Sequence, residues 1–164
     1  MITVTAGPFT ALDAPTAYAV WRLRQDVFVV EQECPYPDLD GRDAEPGTRH
    51  VLLRDDDALL GYARVLDDGA TWRIGRVVLA KAARGRGLAD HVMTTALQVA
   101  KDRDVVLDAQ SPLAGWYSTF GFDQGANLDD ADGMWRTAFA MTKLSAADEK
   151  KIATLVKKAA TEPK

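Results

Sequence analysis

The stretch from Ala89 to Ala100 constrains this chain more than any other. Ala89, Val92, Met93, Ala96, Leu97 and Ala100 fall at i, i+3, i+4, i+7, i+8 and i+11, one unbroken apolar helical face. Lys101 and Arg103 follow at the C-terminal end, where the helix dipole favours positive charge. A strand-like run, Thr71 to Leu79, precedes this helix, and a short apolar strand, Val105 to Leu107, follows it. Two strands joined through a helix are expected to run parallel when they share a sheet. The chain therefore belongs to the α/β class. At 164 residues it is the size of one domain, able to bury about 70% of the surface its unfolded chain exposes.

The rest of the chain adds strands of the other kind. Ile2, Val4 and Ala6 alternate with Thr3 and Thr5 in a first strand that Gly7-Pro8 ends. Asp13 is placed to cap a helix with Pro15 in its first turn, and Ala17, Val20, Trp21, Val27 and Phe28 mark its buried stripe. Periodicity then vanishes from Glu31 to Thr48, among Pro35, Pro37, Pro46, Gly41 and Gly47. A connection longer than about 12–15 residues serves a site or hides short helices. The runs His50–Arg54, Leu59–Leu66 and Thr71–Leu79 are joined by Asp-rich turns, which predicts an antiparallel meander. A short helix around Pro112 to Phe120 and a strand around Thr137 to Thr142 complete the plan.

Composition narrows the setting. Cys34 stands alone and cannot close an internal disulfide, so a reducing, cytoplasmic compartment is expected. No apolar run exceeds the five residues Ala17 to Trp21, against the ~20 a membrane-spanning helix needs. The first basic residue is Arg22, unlike a signal peptide, and no membrane partner is expected. Six of the eight lysines lie at or after Lys143, so residues 143–164 carry +3 and residues 1–142 carry −7. An acidic body argues against nucleic acid as partner. Residues 1–144 are expected to form the domain and 145–164 a basic C-terminal helical tail. Ser145 with Asp148 resembles a capping box, and Ile152, Leu155, Val156 and Ala159 recur at helical spacing. Such a helix packs at the domain edge, or pairs with a second copy to make a homodimer.

The loop before the strong helix carries the chemistry. Arg84-Gly85-Arg86-Gly87-Leu88-Ala89 sets two glycines at a helix N-terminus, where backbone N–H groups lack partners and the dipole is positive. Two arginines add charge-assisted donors, so the segment can cradle a pyrophosphate. A plain tight turn would look much the same by itself. Context decides: the segment resembles the Arg/Gln-x-x-Gly-x-Gly/Ala signature of the GCN5-related N-acetyltransferases (GNAT), and Tyr117-Ser118-Thr119-Phe120-Gly121-Phe122 resembles that superfamily's second hallmark. Val27-Phe28-Val29-Val30-Glu31-Gln32, Cys34-Pro35-Tyr36, Asp38-Leu39-Asp40-Gly41 and Ile74-Gly75-Arg76-Val77 resemble blocks of its ElaA-like branch, and the similarity spans roughly residues 15–125. Trp135 and Arg136 depart from it, standing where that branch carries Pro and His.

The resemblance implies a single-domain mixed, mostly antiparallel sheet, splayed at the coenzyme site and flanked by helices. It also implies direct acetyl transfer from acetyl-CoA to an amine of a small molecule or peptide. The alternative is a non-catalytic acetyl-CoA or CoA sensor or assembly subunit on the same fold. By position, Val77, Val78 and Leu79 would pair with the pantetheine arm through their backbones, with the Val78 N–H as oxyanion donor. Arg84, Gly85, Arg86, Gly87, Leu88 and Ala89 would hold the pyrophosphate, and Gln110 would contact the coenzyme. Tyr117 is the expected general acid, since a phenol near pKa ~10 can donate to a departing thiolate. His50 or Glu33 is the candidate base. Neither His50 nor His91 makes a metal-ligand pattern, so no metal is expected.

One charge asymmetry remains. Glu31, Glu33, Asp38, Asp40, Asp43 and Glu45 face Arg42 alone within the loop. Such an excess would draw a cationic acceptor, a polyamine, an amino sugar or a peptide amine. Asp38, Asp40 and Asp43 also sit among turn residues, where their side chains shape a loop.

Overall fold

A computed structural model describes residues 1–110, 113–129 and 135–141. The strands are β1 (Ile2–Gly7), β2 (Arg49–Asp55), β3 (Ala58–Asp67), β4 (Thr71–Leu79), β5 (Asp104–Gln110), β6 (Asp123–Asp129) and β7 (Trp135–Met141). The helices are α1 (Ala14–Arg24), α2 (Leu88–Val99) and α3 (Ala114–Ser118). One seven-stranded sheet runs β1-β2-β3-β4-β5-β7-β6, antiparallel everywhere except between β4 and β5. This is the mixed, mostly antiparallel sheet that the resemblance implies. The tail at 145–164 lies outside the described residues.

Alternation along the meander gives the sheet two buried faces. Val51, Leu53, Ala63 and Val65 point to one side, where Val92, Met93, Ala96 and Leu97 of α2 are fully buried against them. Leu52, Tyr62 and Val78, cross-strand neighbours in register, point to the other and pack with Val20 and Val27. Helices thus cover both faces.

Four features depart from the sequence-based plan, the first being β6, which that plan did not contain. Asp13 caps α1 as predicted, its carboxylate accepting from the Thr16 N–H at 2.8 Å. The α-helix then gives way to a π-helical segment, Gln25–Glu31, a wider winding concentrated at functional sites. The final strand inserts between β5 and β6 as β7, a non-local pairing that periodicity cannot reveal. The stripe on α1 ends in a fully buried Arg24, a charge where an apolar residue is the rule.

Candidate active site

The sheet parts where the two parallel strands meet. β4 pairs with β5 only from Thr71 to Arg73, opposite Asp104 to Val106. Beyond Arg73 the strands separate, because β4 bulges: Arg64 lies opposite Gly75 and Tyr62 opposite Val78, leaving Arg76 and Val77 against Ala63 alone. Arg76 takes φ +52°, a left-handed conformation rare for a side-chain-bearing residue. An extra residue bends the bulged strand, and β4 leads from the resulting opening directly into the glycine loop.

Backbone alternation decides which β4 groups face the opening. The Ala80 N–H donates to the Leu60 carbonyl at 2.8 Å, so the backbone groups of Ala80 and Val78 point toward β3. The Leu79 N–H and C=O and the Val77 C=O therefore point away from β3. This corrects the expectation for Val78: its N–H belongs to the β3 ladder, and gap-facing backbone comes from Val77 and Leu79 instead.

The loop has the form of a cradle. Gly85 and Gly87 adopt φ +72° and +70°, and a Cβ at either would meet open space. Gly87 is the N-cap of the twelve-residue α2, so the first N–H groups of that helix rise beside it. An anionic diphosphate fits this combination of open backbone, positive dipole end and the exposed Arg86. Leu88 is buried beneath the helix start and Ala89 half-buried beside it. Arg84, also exposed, is already paired: it grips Glu31 at 2.7 and 3.2 Å and donates to the Leu79 carbonyl at 3.3 and 3.2 Å. Those hydrogen bonds hold the Glu31 carboxyl below the usual range. They also tie the π-helical segment to the cradle.

Tyr117 is 5% exposed, on the short α3, with its ring edge-on to Trp116 at 4.8 Å. Burial pushes its phenol up to about 12, so it stays protonated at neutral pH, as a proton donor must. Gln110 is the last residue of β5, its backbone opposite Arg136.

The base candidates separate. His50 is 2% exposed, with Nε2 2.9 Å from the Asp43 carbonyl and Nδ1 2.7 Å from the Tyr62 hydroxyl. A carbonyl only accepts, so Nε2 carries the proton and Nδ1 accepts from Tyr62. Burial pushes the imidazole pKa down. With its lone pair taken and its ring buried, His50 is a core polar group, which corrects its candidacy as base. Glu33 is exposed, at φ +51°, two residues beyond Glu31.

The acidic loop is already neutralised. Arg24 donates to Asp38 at 2.9 Å and to Asp43, and Arg64 forks onto Asp40 at 2.8 and 2.6 Å and reaches Asp43 at 3.1 Å. Arg76 Nε lies 2.8 Å from Asp38 as an ion pair without hydrogen-bond geometry, and its guanidinium covers the Tyr36 ring. Burial opposes ionisation of Asp40 and Asp43, but the arginines outweigh it and hold both carboxyls below the usual range. Glu45 pairs with Arg42, and Glu31 with Arg84. Five of the six loop acids are therefore matched, and only Glu33 has no side-chain partner among the described residues. The loop's charge is a lock on the fold rather than a lure for a cation. The arginines were not legible individually, but an acid-rich loop with one base demands partners from elsewhere in the chain. Cys34 is buried, and among the described residues no cluster of His, Cys, Asp and Glu could hold a metal.

Comparison with known proteins places this geometry. Residues 17–122 match the family described as Acetyltransferase (GNAT) family. Protein ElaA of Escherichia coli is 38% identical over 130 residues, covering 75% of this chain and 85% of that protein. The crystal structure of Escherichia coli ElaA superimposes with a TM-score of 0.80 at 36% identity, over 85% of this chain and 99% of that one. An acyl-CoA N-acyltransferase from Pseudomonas aeruginosa superimposes at 0.81 and 35% identity, over 87% of this chain and all (100%) of that one.

Proposed function

We propose that this chain, which belongs to the acetyltransferase (GNAT) family in its ElaA-like branch and is an N-acyltransferase drawing on an acyl-CoA, moves an acetyl group and passes it directly to an amine of a small molecule or peptide. The observation that carries this reading is the parting of β4 from β5 beyond Arg73, immediately before the open glycine cradle. A thioester arm lying along the freed edge of β4 would find the Leu79 N–H and the Val77 C=O, with its diphosphate over Gly85, Gly87 and Arg86.

Direct transfer needs an aligned amine, a polarised carbonyl, a base and an acid. Backbone donors beside the bulge would polarise the thioester carbonyl. Tyr117, a buried phenol protonated at neutral pH, would give its proton to the leaving thiolate. Glu33 would take the amine's proton, directly or through water. The bond broken is thioester C–S and the bond formed is C–N, with no acyl-enzyme between.

Calorimetry with acetyl-CoA and thiol-release assays against an amine panel test this reading. Saturable binding and amine-dependent thiol release are expected. Binding without release for any amine would leave a coenzyme sensor, and absence of binding removes the reading altogether. Release with a longer acyl-CoA but not acetyl-CoA would overturn the acetyl assignment alone.

A further inference from the structure

A carboxylate in the first turn of α2 stands where the cradle least needs one. Asp90 lies three residues beyond Gly87, and a negative charge there opposes an incoming diphosphate. Its Oδ1 accepts a hydrogen bond from the Trp116 indole N–H at 2.8 Å. Trp116 adjoins Tyr117, lies edge-on to it at 4.8 Å, and packs edge-on against Phe120 at 5.2 Å. The five-residue α3 is too short to hold its own position and depends on tertiary anchors.

Resting on the assignment of Tyr117 as general acid, we propose that Asp90 and Trp116 are positioning residues. Their hydrogen bond fastens α3 to the start of the cradle helix and so sets the Tyr117 hydroxyl relative to the bound acyl-CoA. One side-chain contact then links the group that holds the donor's phosphates to the group that protonates its sulfur. The like charge at the cradle is the consequence of that tether: an indole N–H is a donor only, and a carboxylate is the strong acceptor that α2 can offer it.

The two effects of Asp90 separate kinetically, which a purely structural role would not do. Trp116→Phe keeps the aromatic packing and removes the indole N–H. It is expected to lower kcat about tenfold, because small misplacements of reacting groups are expensive, and to leave the acyl-CoA KM unchanged. Asp90→Ala is expected to lower kcat equally and to lower the acyl-CoA KM, since a repelling charge has gone. Asp90→Asn keeps a carbonyl acceptor, so it should recover most of the kcat lost in Asp90→Ala while retaining the lower KM. The double variant Asp90→Ala/Trp116→Phe should be no slower than either single one. Wild-type kcat in Trp116→Phe and Asp90→Ala, or multiplying effects in the double variant, overturns the tether. Tyr117→Phe is the control: wild-type kcat there overturns the acid assignment, and the inference with it. A slow Tyr117→Phe beside a fast Trp116→Phe overturns the tether alone.

Discussion

Two charged regions flank the bulge of β4, and they are built on opposite principles. Around Arg24, Asp38, Asp43 and Arg64, ionised side chains are almost wholly buried and each answers another. At Gly85 and Gly87 the positive potential comes from backbone and helix dipole, is open to solvent, and has nothing above it. A buried charge left unpaired is severely destabilising, so the first region must be complete in the folded chain. An exposed helix end tolerates incompletion because water solvates it. Only the second region is therefore free to take an anionic ligand. Net charge of a segment does not reveal which kind it is; pairing does.

The sharpest way to break this contrast is Arg24→Ala. It removes the buried cation shared by Asp38 and Asp43, leaving Arg76 and Arg64 alone to offset them, and should lower stability by about 3–5 kcal/mol, read as a shifted urea midpoint at unchanged slope. A loss below about 1 kcal/mol would mean that the cluster behaves like surface ion pairs. Next in size are the two proton-transfer variants. Tyr117→Phe and Glu33→Gln should each reduce kcat about 100-fold while the urea midpoint stays put, as expected of acid–base groups. A normal rate in Glu33→Gln moves the base elsewhere.

A matched pair of glycines then tests the two regions against each other. Gly41, in the acidic loop, and Gly87, in the cradle, both hold positive φ with open space above. Gly41→Ala and Gly87→Ala should each cost about 1–2 kcal/mol of stability. Only Gly87→Ala should also weaken acetyl-CoA binding. Equal weakening by both would show that the loop, not the cradle alone, contacts the donor. The smallest effect is expected from acid. Asp40 and Asp43 have folded pKa values below their unfolded ones, so their contribution is complete above about pH 4 and is lost as pH falls through the folded values. Stability measured from pH 5 downward should fall less steeply in Asp40→Asn than in the parent chain. An unchanged slope would assign the acid sensitivity to other groups.

Much of the molecule was legible before folding. The Ala89–Ala100 face, the Asp13 cap and the alternating strands are local patterns, and each element formed where its periodicity placed it. The glycine cradle was legible for the same reason, since positive φ and a helix start are short-range requirements. Three site assignments were not settled locally. Whether Val78 or its neighbours face the opening depends on hydrogen bonding to β3 and on a bulge with no sequence signal. Whether His50 is a base depends on Tyr62 and the Asp43 carbonyl, brought to it by the sheet and the loop. Whether the acidic loop attracts a cation depends on Arg24, Arg64 and Arg76, which arrive from α1, β3 and β4.

The sequence by itself determined the place of the long helix and of the alternating strands, the α/β class, the family and the place of the glycine loop, because these rest on patterns within a few residues. The tertiary structure alone decided which charges cancel, which backbone groups face the gap and which histidine nitrogen carries the proton. Those are questions of partners across 12 to 53 residues of chain, such as His50 with Tyr62 and Glu31 with Arg84. Such partners become neighbours only when burial of the two sheet faces brings the segments together.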